Sequence, residues 1–328
     1  MPVARCTPWP FGRPSTRGNR LVSTWLITHE ACLQHDTGSG HPERIERLEA
    51  ILAALDTPAF ADLQRHTAQS ASRAVLERAH SPGYIDEVMA AVPATGRTQL
   101  NADTTLSAGS GEAALRAAGA ATQAVDAIQT GEARRVFCAV RPPGHHAETG
   151  ESMGFCLFSN AAIAALHAQV AHGVQRVAIV DFDVHHGNGT QAVVAEREGL
   201  FYLSTHQYPL FPGTGSRKEN RPGHILNIPM PEGTGSADYR EQFHREAISA
   251  LIDFDPELMI ISAGFDAAVE DPLAGMALTT EDFAWITDEL VAVANYCCGG
   301  HICSVLEGGY DLDALARGAA AHVAGLMK

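Results

Sequence analysis

The feature that most constrains the fold is a repeated alternation of short strand patterns with longer helical patterns. Three of the strand patterns, VAIVDF at 177–182, LMIISAG at 258–264 and ICSVLEGG at 302–309, are apolar on successive residues rather than on alternate ones. A strand that is apolar on both faces is buried on both faces, which is typical of parallel sheets covered by helices on each side. The alternation therefore predicts an α/β fold with a doubly wound parallel sheet.

The same patterns set the expected boundaries. The predicted strands lie at about 23–28, 136–140, 177–182, 201–205, 225–229, 258–263 and 302–306. The predicted helices lie at about 43–56, 108–130, 159–171, 236–252, 280–296 and 311–325. The Pro- and Gly-rich stretch 207–223 is predicted to be a long functional loop, because strand and helix patterns continue on both sides of it. We therefore expect a single domain at 23–328.

The first 22 residues have a different composition from the rest. They contain arginines but no acidic residue, and prolines at 8, 10 and 14 interrupt any amphipathic helix. Transit peptides form such helices, so a disordered N-terminal extension is the favoured prediction and a transit peptide the alternative.

Charge and composition narrow the class of protein. A formal net charge of −15 disfavours nucleic-acid binding, which draws on a basic surface, and suits a cationic substrate. No apolar run approaches the ~20 residues that span a bilayer, so a membrane protein is not expected. The seven Cys are an odd number without a CxxC pair, which predicts reduced thiols and a cytoplasmic location. The sequence leaves a homo-oligomer open.

Polar segments follow five of the predicted strands. They are RPPGHH at 141–146, DVHHGNGT at 183–190, STHQY at 204–208, GFD at 264–266 and EGGY at 307–310. Ligands of an open α/β sheet bind beyond the carboxyl ends of its strands. These segments are therefore predicted to meet at one edge of the sheet and form a site.

Two of the segments carry residue types that commonly serve as metal ligands. Asp181, Asp183 and His185 alternate along an extended stretch, so their side chains point to the same face, and Asp266 follows another strand. Asp183, His185 and Asp266 would leave an open position on Zn²⁺, as a catalytic site requires. Fe²⁺, Co²⁺ or Mn²⁺ are alternatives for such an oxygen-rich set.

Other residues of these segments suit proton transfer. His145 and His146 follow a stiff Pro-Pro-Gly turn, and paired imidazoles beside a metal site can move protons near neutral pH. Asp181 and Asn188 are candidates to orient one imidazole each. Tyr310 follows Gly308 and Gly309 and could donate a hydrogen bond to an oxyanion.

With these motifs in view, the sequence resembles the histone deacetylase and acetylpolyamine amidohydrolase superfamily, and looks most like its bacterial and class II branch. The resemblance runs from about Ile27 to the C-terminus and rests on DTGSGHPER at 36–44, RPPGHHAE at 141–148, GFC at 154–156, DFDVHHGNGT at 181–190, FPGTG at 211–215, SAGFDA at 262–267 and EGGY at 307–310. It implies the arginase/deacetylase fold, an eight-stranded parallel sheet with helices on both faces. It also implies a zinc-dependent deacetylase that acts on the ε-amine of lysine in proteins or peptides.

The resemblance assigns roles to individual residues. It supports Asp183, His185 and Asp266 as zinc ligands, with zinc and Tyr310 polarising the acetyl carbonyl. His146 would take a proton from the attacking water and later protonate the leaving amine. His145 would stabilise charge, with Asp181 behind it.

Further residues of the same site follow by resemblance. A potassium ion would be held by Asp181, Ser204 and the backbone carbonyls of Asp183, His185 and Thr205. The tunnel for the acyl-lysine would have Phe155 and Phe211 as walls, Gly154 between wall and metal, and Leu273 at its rim.

The sequence also departs from its relatives. Asn188 stands where class I members carry an aspartate, which matches the class II pattern and makes the support of His146 neutral. Leu273 follows Pro272 where the polyamine-selective vertebrate branch has a glutamate, which weakens an acetylpolyamine substrate without removing it as the alternative. A ureohydrolase is remote because its DAHxD signature is absent. A non-catalytic acyl-lysine binding module is a further alternative, disfavoured by the complete set of ligands, histidines and Tyr310.

Overall fold

The computed structural model describes residues 23–328. The predicted extension at 1–22 lies outside the described residues. The strands are β1 (Thr24–Thr28), β2 (Gln64–Thr67), β3 (Arg97–Gln99), β4 (Thr105–Ser107), β5 (Arg135–Cys138), β6 (Val177–Asp181), β7 (Leu200–Gln207), β8 (Ile225–Met230), β9 (Leu258–Ala263) and β10 (Ile302–Leu306). The helices are α1 (Ile45–Leu55), α2 (Arg73–Leu76), α3 (Pro82–Ala91), α4 (Ser110–Gln129), α5 (Asn160–His172), α6 (Asn188–Ala195), α7 (Ser236–Gln242), α8 (Ser249–Phe254), α9 (Thr280–Cys297) and α10 (Leu312–Leu326).

Eight of the strands form one parallel sheet in the order β2-β1-β5-β10-β9-β6-β7-β8. β3 and β4 form a separate antiparallel hairpin. The central strands β5, β6, β9 and β10 are buried along their whole length, as their apolar runs predict. The α/β fold with an eight-stranded parallel sheet is thus confirmed.

Helices cover both faces of this sheet. Successive side chains of a strand point to opposite faces of the sheet, so two consecutive residues of β10 contact the two different helical layers. The thiol of Cys303 contacts the Ala121 carbonyl of α4, whereas the hydroxyl of Ser304 bonds with His322 of α10. α4 packs with α5 in one layer, and α10 packs with α1 and α9 in the other. None of the helices within residues 23–328 has the length and apolar character needed to cross a membrane.

The sequence patterns missed some elements. The edge strand β2 has the sequence QRHT and is largely exposed, so it lacks the apolar run by which the other strands were predicted. The helices α2, α3 and α6 are short, with weak apolar patterns. The predicted helix at 236–252 is a continuous helical stretch in which a π-helical segment, Phe243–Ile248, joins α7 to α8.

Candidate active site

Four of the five polar segments follow β5, β10, β9 and β6, and the fifth, STHQY at 204–208, forms the end of the adjacent β7; all lie at the same edge of the sheet because the strands are parallel. Asp183 and His185 follow β6, and Asp266 follows the neighbouring β9. Nδ1 of His185 lies 3.1 Å from Oδ1 of Asp183 and 3.1 Å from Oδ2 of Asp266. The two carboxylates are fully buried and His185 is 8% exposed. The structure thus brings together the three predicted metal ligands.

Backbone groups hold both carboxylates in place. The N–H of His185 donates to Oδ1 of Asp183 at 2.9 Å, and the N–H of Gly308 donates to Oδ2 at 2.8 Å. The N–H of Val184 donates to Oδ1 of Asp266 at 2.9 Å. A Cβ on Gly308 would lie 2.6 Å from Oδ2 of Asp183, so only glycine fits at this position.

The electrostatics of this cluster reflect two acids buried side by side. Burial and the charge of Asp183 raise the pKa of Asp266 to about 7. Burial acts against charge on His185, but its contacts with Asp183 and Asp266 outweigh burial and raise its pKa to about 10. The cluster therefore attracts positive charge.

The two histidines of the Pro-Pro-Gly turn lie beside the cluster, with ring centroids 4.0 Å apart. Nδ1–H of His145 donates to Oδ2 of Asp181 at 3.0 Å. Nδ1–H of His146 donates to Oδ1 of Asn188 at 2.8 Å, while the amide of Asn188 donates to Glu148. Both predicted orienting partners are therefore in contact with their imidazoles, and Nε2 of His146 is left as the acceptor nitrogen.

The two imidazoles differ in their affinity for a proton. Burial disfavours charge on His145, but the neighbouring carboxylates of Asp183 and Asp181 outweigh it and raise the pKa of His145 well above its ordinary value. Burial and the charges of His145 and His185 lower the pKa of His146 well below it. One ring favours the charged form and the other the neutral form, which suits a pair with different roles.

Tyr310 completes this side of the site. Its N–H donates to Oδ2 of Asp271 at 2.7 Å, and the guanidinium of Arg47 lies 4.9 Å from its ring centroid. Tyr310 is 9% exposed, and burial raises the pKa of its hydroxyl well above the ordinary value. The phenol therefore stays protonated and can donate a hydrogen bond.

Two aromatic side chains flank the approach to the cluster. The ring of Phe211 lies 5.2 Å from that of His146, and the ring of Phe155 lies 6.0 Å from that of Tyr310. Phe155 has a left-handed backbone with φ 69, which is strained for a non-glycine residue and typical of functional sites. The preceding Gly154 packs its Cα against the His146 ring. Leu273 is partly buried, and its N–H donates to Asp271, which also holds Tyr310.

The two side chains predicted to bind potassium are also neighbours. Asp181 of β6 and Ser204 of β7 are register partners in the sheet, and both are fully buried. Oδ2 of Asp181 accepts from His145 and from the hydroxyl of Tyr202, while the hydroxyl of Ser204 bonds with His206.

Sequence reasoning missed a buried ionic network at the same edge. Arg141 and Arg47 both bind the carboxylate of Glu43, and all three residues are fully buried. Arg47 also donates to the carbonyls of Glu307 and Gly309 at 2.5 and 2.6 Å, which fixes the segment that carries Tyr310. Glu43 lies in the motif DTGSGHPER and Arg141 begins the motif RPPGHHAE. The presence of charged residues in these motifs is the sequence signal that could have indicated the network.

A second group with metal-binding side chains lies on the helices, away from the sheet edge. His167 and His172 of α5 each place Nε2 2.6 Å from Oδ1 of Asp126 on α4. However, Arg78 donates to Nδ1 of His167 at 2.5 Å, so the proton of this neutral ring is on Nε2. A metal bound at Nε2 would put the ring proton on Nδ1, where it would face the N–H of Arg78, so Arg78 would have to move. The group is better explained as a link between the helices α4 and α5.

Comparisons with known proteins agree with this geometry. The family model described as histone deacetylase domain matches residues 41–326. A histone deacetylase-like amidohydrolase of Pseudomonas aeruginosa is 38% identical over 285 residues, which are 85% of this chain and 75% of that protein. The human polyamine deacetylase HDAC10 is 37% identical over 90% of this chain and 47% of its own length.

A solved structure is similar throughout the fold. The crystal structure of the HDA15 HD domain superimposes with a TM-score of 0.88 and 35% sequence identity, covering 94% of this chain and 89% of that one. With the domain match across most of the sequence, this likeness shows that the chain belongs to the histone deacetylase family.

Proposed function

We propose that residues 23–328 form one catalytic domain, a zinc-dependent amidohydrolase that removes acetyl groups from the ε-amine of lysine in proteins or peptides. The observation that carries the proposal is the convergence of two buried carboxylates, three imidazoles and one phenol at one edge of the sheet. Family membership supports a deacetylase. Zinc and acetyl-lysine are inferences from the site.

The donor set fits a zinc ion. Asp183, His185 and Asp266 offer two oxygens and one nitrogen that face each other, and all three can be ligands of zinc. Three protein ligands leave a position for a reactant, and zinc supplies Lewis acidity toward a carbonyl and toward water. Fe²⁺, Co²⁺ and Mn²⁺ accept the same ligands. We also propose that Asp181 and Ser204, which are buried register partners, would hold a potassium ion with backbone carbonyls of Asp183, His185 and Thr205.

The histidine pair would handle the protons. His146 is held neutral and has its acceptor nitrogen Nε2 available, so we assign it to take a proton from water and to return it to the leaving amine. His145, backed by Asp181, favours the charged form and would stabilise negative charge that develops on the substrate.

Tyr310 and the aromatic walls would bind the acetylated amine. A protonated phenol can donate to the carbonyl oxygen as that oxygen gains negative charge. Phe155 and Phe211 would pack against the methylene chain of lysine and exclude water from the reacting carbonyl.

Acetylated polyamines are the second candidate substrate, because a relative with 37% identity is named a polyamine deacetylase. The test compares kcat/KM for an acetyl-lysine peptide with that for acetylputrescine and acetylspermidine, in the parent and in a Leu273→Glu variant. We expect the parent to favour the peptide and the variant to shift toward the polyamines, because glutamate attracts their second amine. A parent that clearly prefers a polyamine would contradict the lysine assignment, and no hydrolysis of any acyl substrate by the zinc-loaded protein would indicate a binding module.

A further inference from the structure

Glu307 is the one carboxylate of the EGGY segment, and the proposed reaction gives it no role. It directly follows the central strand β10 and is fully buried. Its Oε2 accepts from the backbone N–H groups of Gly144 at 2.7 Å and His145 at 3.1 Å. Its Oε1 accepts from the hydroxyl of Ser262 at 3.1 Å. One side chain thus joins β10 and β9 to the turn that carries both histidines.

The turn at 142–146 is tightly confined on its other side. A Cβ on Gly144 would lie 2.5 Å from the backbone nitrogen of Asn160 and 2.7 Å from the carbonyl of Phe158. Without Glu307, the two buried N–H groups of the turn would lose their partner, and a buried N–H without an acceptor is destabilising. Rotation of the peptide toward another acceptor would then displace both imidazoles.

Glu307 is itself held in place. Arg47 donates to its backbone carbonyl at 2.5 Å, and the N–H of Gly308 donates to Asp183, so both polar groups of the peptide that follows Glu307 are held. The backbone that Glu307 holds carries both imidazoles, so its position affects the hydrogen bonds from His145 to Asp181 and from His146 to Asn188. An error of about 1 Å in such an arrangement can cost 10²-fold in rate.

We propose that Glu307 is a positioning residue, which fixes the Gly144–His145 peptide by hydrogen bonds and so places the two imidazoles for the reaction. The role rests on the proposed function, because it matters only if the histidines transfer protons. It does not depend on a full negative charge. Burial raises the pKa of Glu307 to about 7, and both the ionised and the neutral carboxyl can accept through Oε2.

Three substitutions separate hydrogen bonding from charge. Glu307→Gln keeps an acceptor oxygen at the same reach, whereas Glu307→Asp is one methylene shorter and Glu307→Ala has no acceptor. We expect Gln to retain kcat within about threefold, and Asp and Ala to lose roughly 30- to 100-fold in kcat with KM and zinc content little changed. Ser262→Ala is the control, because it removes a partner of Oε1 and leaves the turn bonds intact.

Amide hydrogen exchange at Gly144 and His145 supplies a readout that needs no activity. We expect exchange at both amides to accelerate at least tenfold in the Asp and Ala variants and to stay near the parent rate in Gln. An Ala variant with parental kcat and exchange, or a Gln variant as impaired as Ala, would overturn the proposal; if Ala does not fold, Gln and Asp decide it. A parent that hydrolyses no acetylated amine refutes the proposed function, while the exchange rates still test the contacts of Glu307.

Discussion

Replacing Gly154 by alanine tests whether the position of His146 sets the rate. Gly154 has φ +55, and a Cβ built there would lie 2.8 Å from Cγ and 3.1 Å from Nε2 of His146, and closer still to Cδ2. Ordinary contact requires at least 3.4 Å, so the ring must move by about 1 Å. Such a displacement would disturb the hydrogen bond between Nδ1 of His146 and Asn188 and would move Nε2 away from the reacting atoms. We expect kcat/KM on an acetyl-lysine peptide to fall by about 10²-fold.

The loss should reside in the chemistry rather than in the fold. Zinc content should stay at the parent value, because none of the three ligands is touched, and a left-handed alanine costs only about 1–2 kcal/mol of stability. Gly150→Ala is the matched control, since Gly150 is exposed in the same loop and a Cβ there meets nothing within 4 Å. If Gly154→Ala stays within threefold of the parent and the control, then the placement of His146 does not govern the reaction.

Three further predictions follow from other contacts of the site and the core. Tyr310→Phe should lower kcat/KM by about 10²–10³ without loss of zinc, and a change below about threefold would rule out the oxyanion role. Asn188→Asp should raise the pKa of His146, because a carboxylate stabilises the imidazolium, so the acid limb of the kcat/KM profile should move to higher pH; an unmoved limb would contradict this partner. The buried His80 and His322, with pKa values lowered by burial to about 4 and about 3, stay neutral in the fold while the unfolded chain binds protons below about pH 6.5. Their contribution is present above that pH and is lost as pH falls. In urea denaturation, the variants His80→Gln and His322→Gln should therefore each lose about 1 kcal/mol less stability than the parent between pH 7.5 and pH 5.5, and an equal loss in parent and variants would refute it.

The sequence predicts much of the sheet because burial leaves a direct mark on it. The central strands are apolar on consecutive residues, and their polar ends lie at one edge because parallel strands share a direction. The sequence of β2 has no apolar run, since an exposed strand at the side of the sheet can be polar. Its extended conformation is stabilised by pairing with β1. Tertiary context, rather than local pattern, therefore determines this strand.

The candidate site was likewise predictable from the sequence only in part. Residue types and spacing indicate Asp183, His185 and Asp266, and the structure brings their ligand atoms together. The roles of Glu43 and Glu307 could not be read from spacing. Arg141 lies 98 residues from Glu43, and the Gly144 and His145 amides lie 163 and 162 residues from Glu307, so these groups meet only through the fold. Buried polar networks of this kind depend on which backbone groups lack partners, a property of the tertiary structure.

The proposed hydrolysis depends on a metal held by Asp183, His185 and Asp266. The most direct test measures metal content and acetate release on the same preparations of the parent and of Asp266→Ala. We predict one zinc per parent chain, acetate release that chelation abolishes and zinc restores, and neither bound zinc nor acetate release in Asp266→Ala. Undiminished acetate release by the metal-stripped parent would contradict the dependence on a metal, and stoichiometric zinc in Asp266→Ala would contradict the ligand assignment.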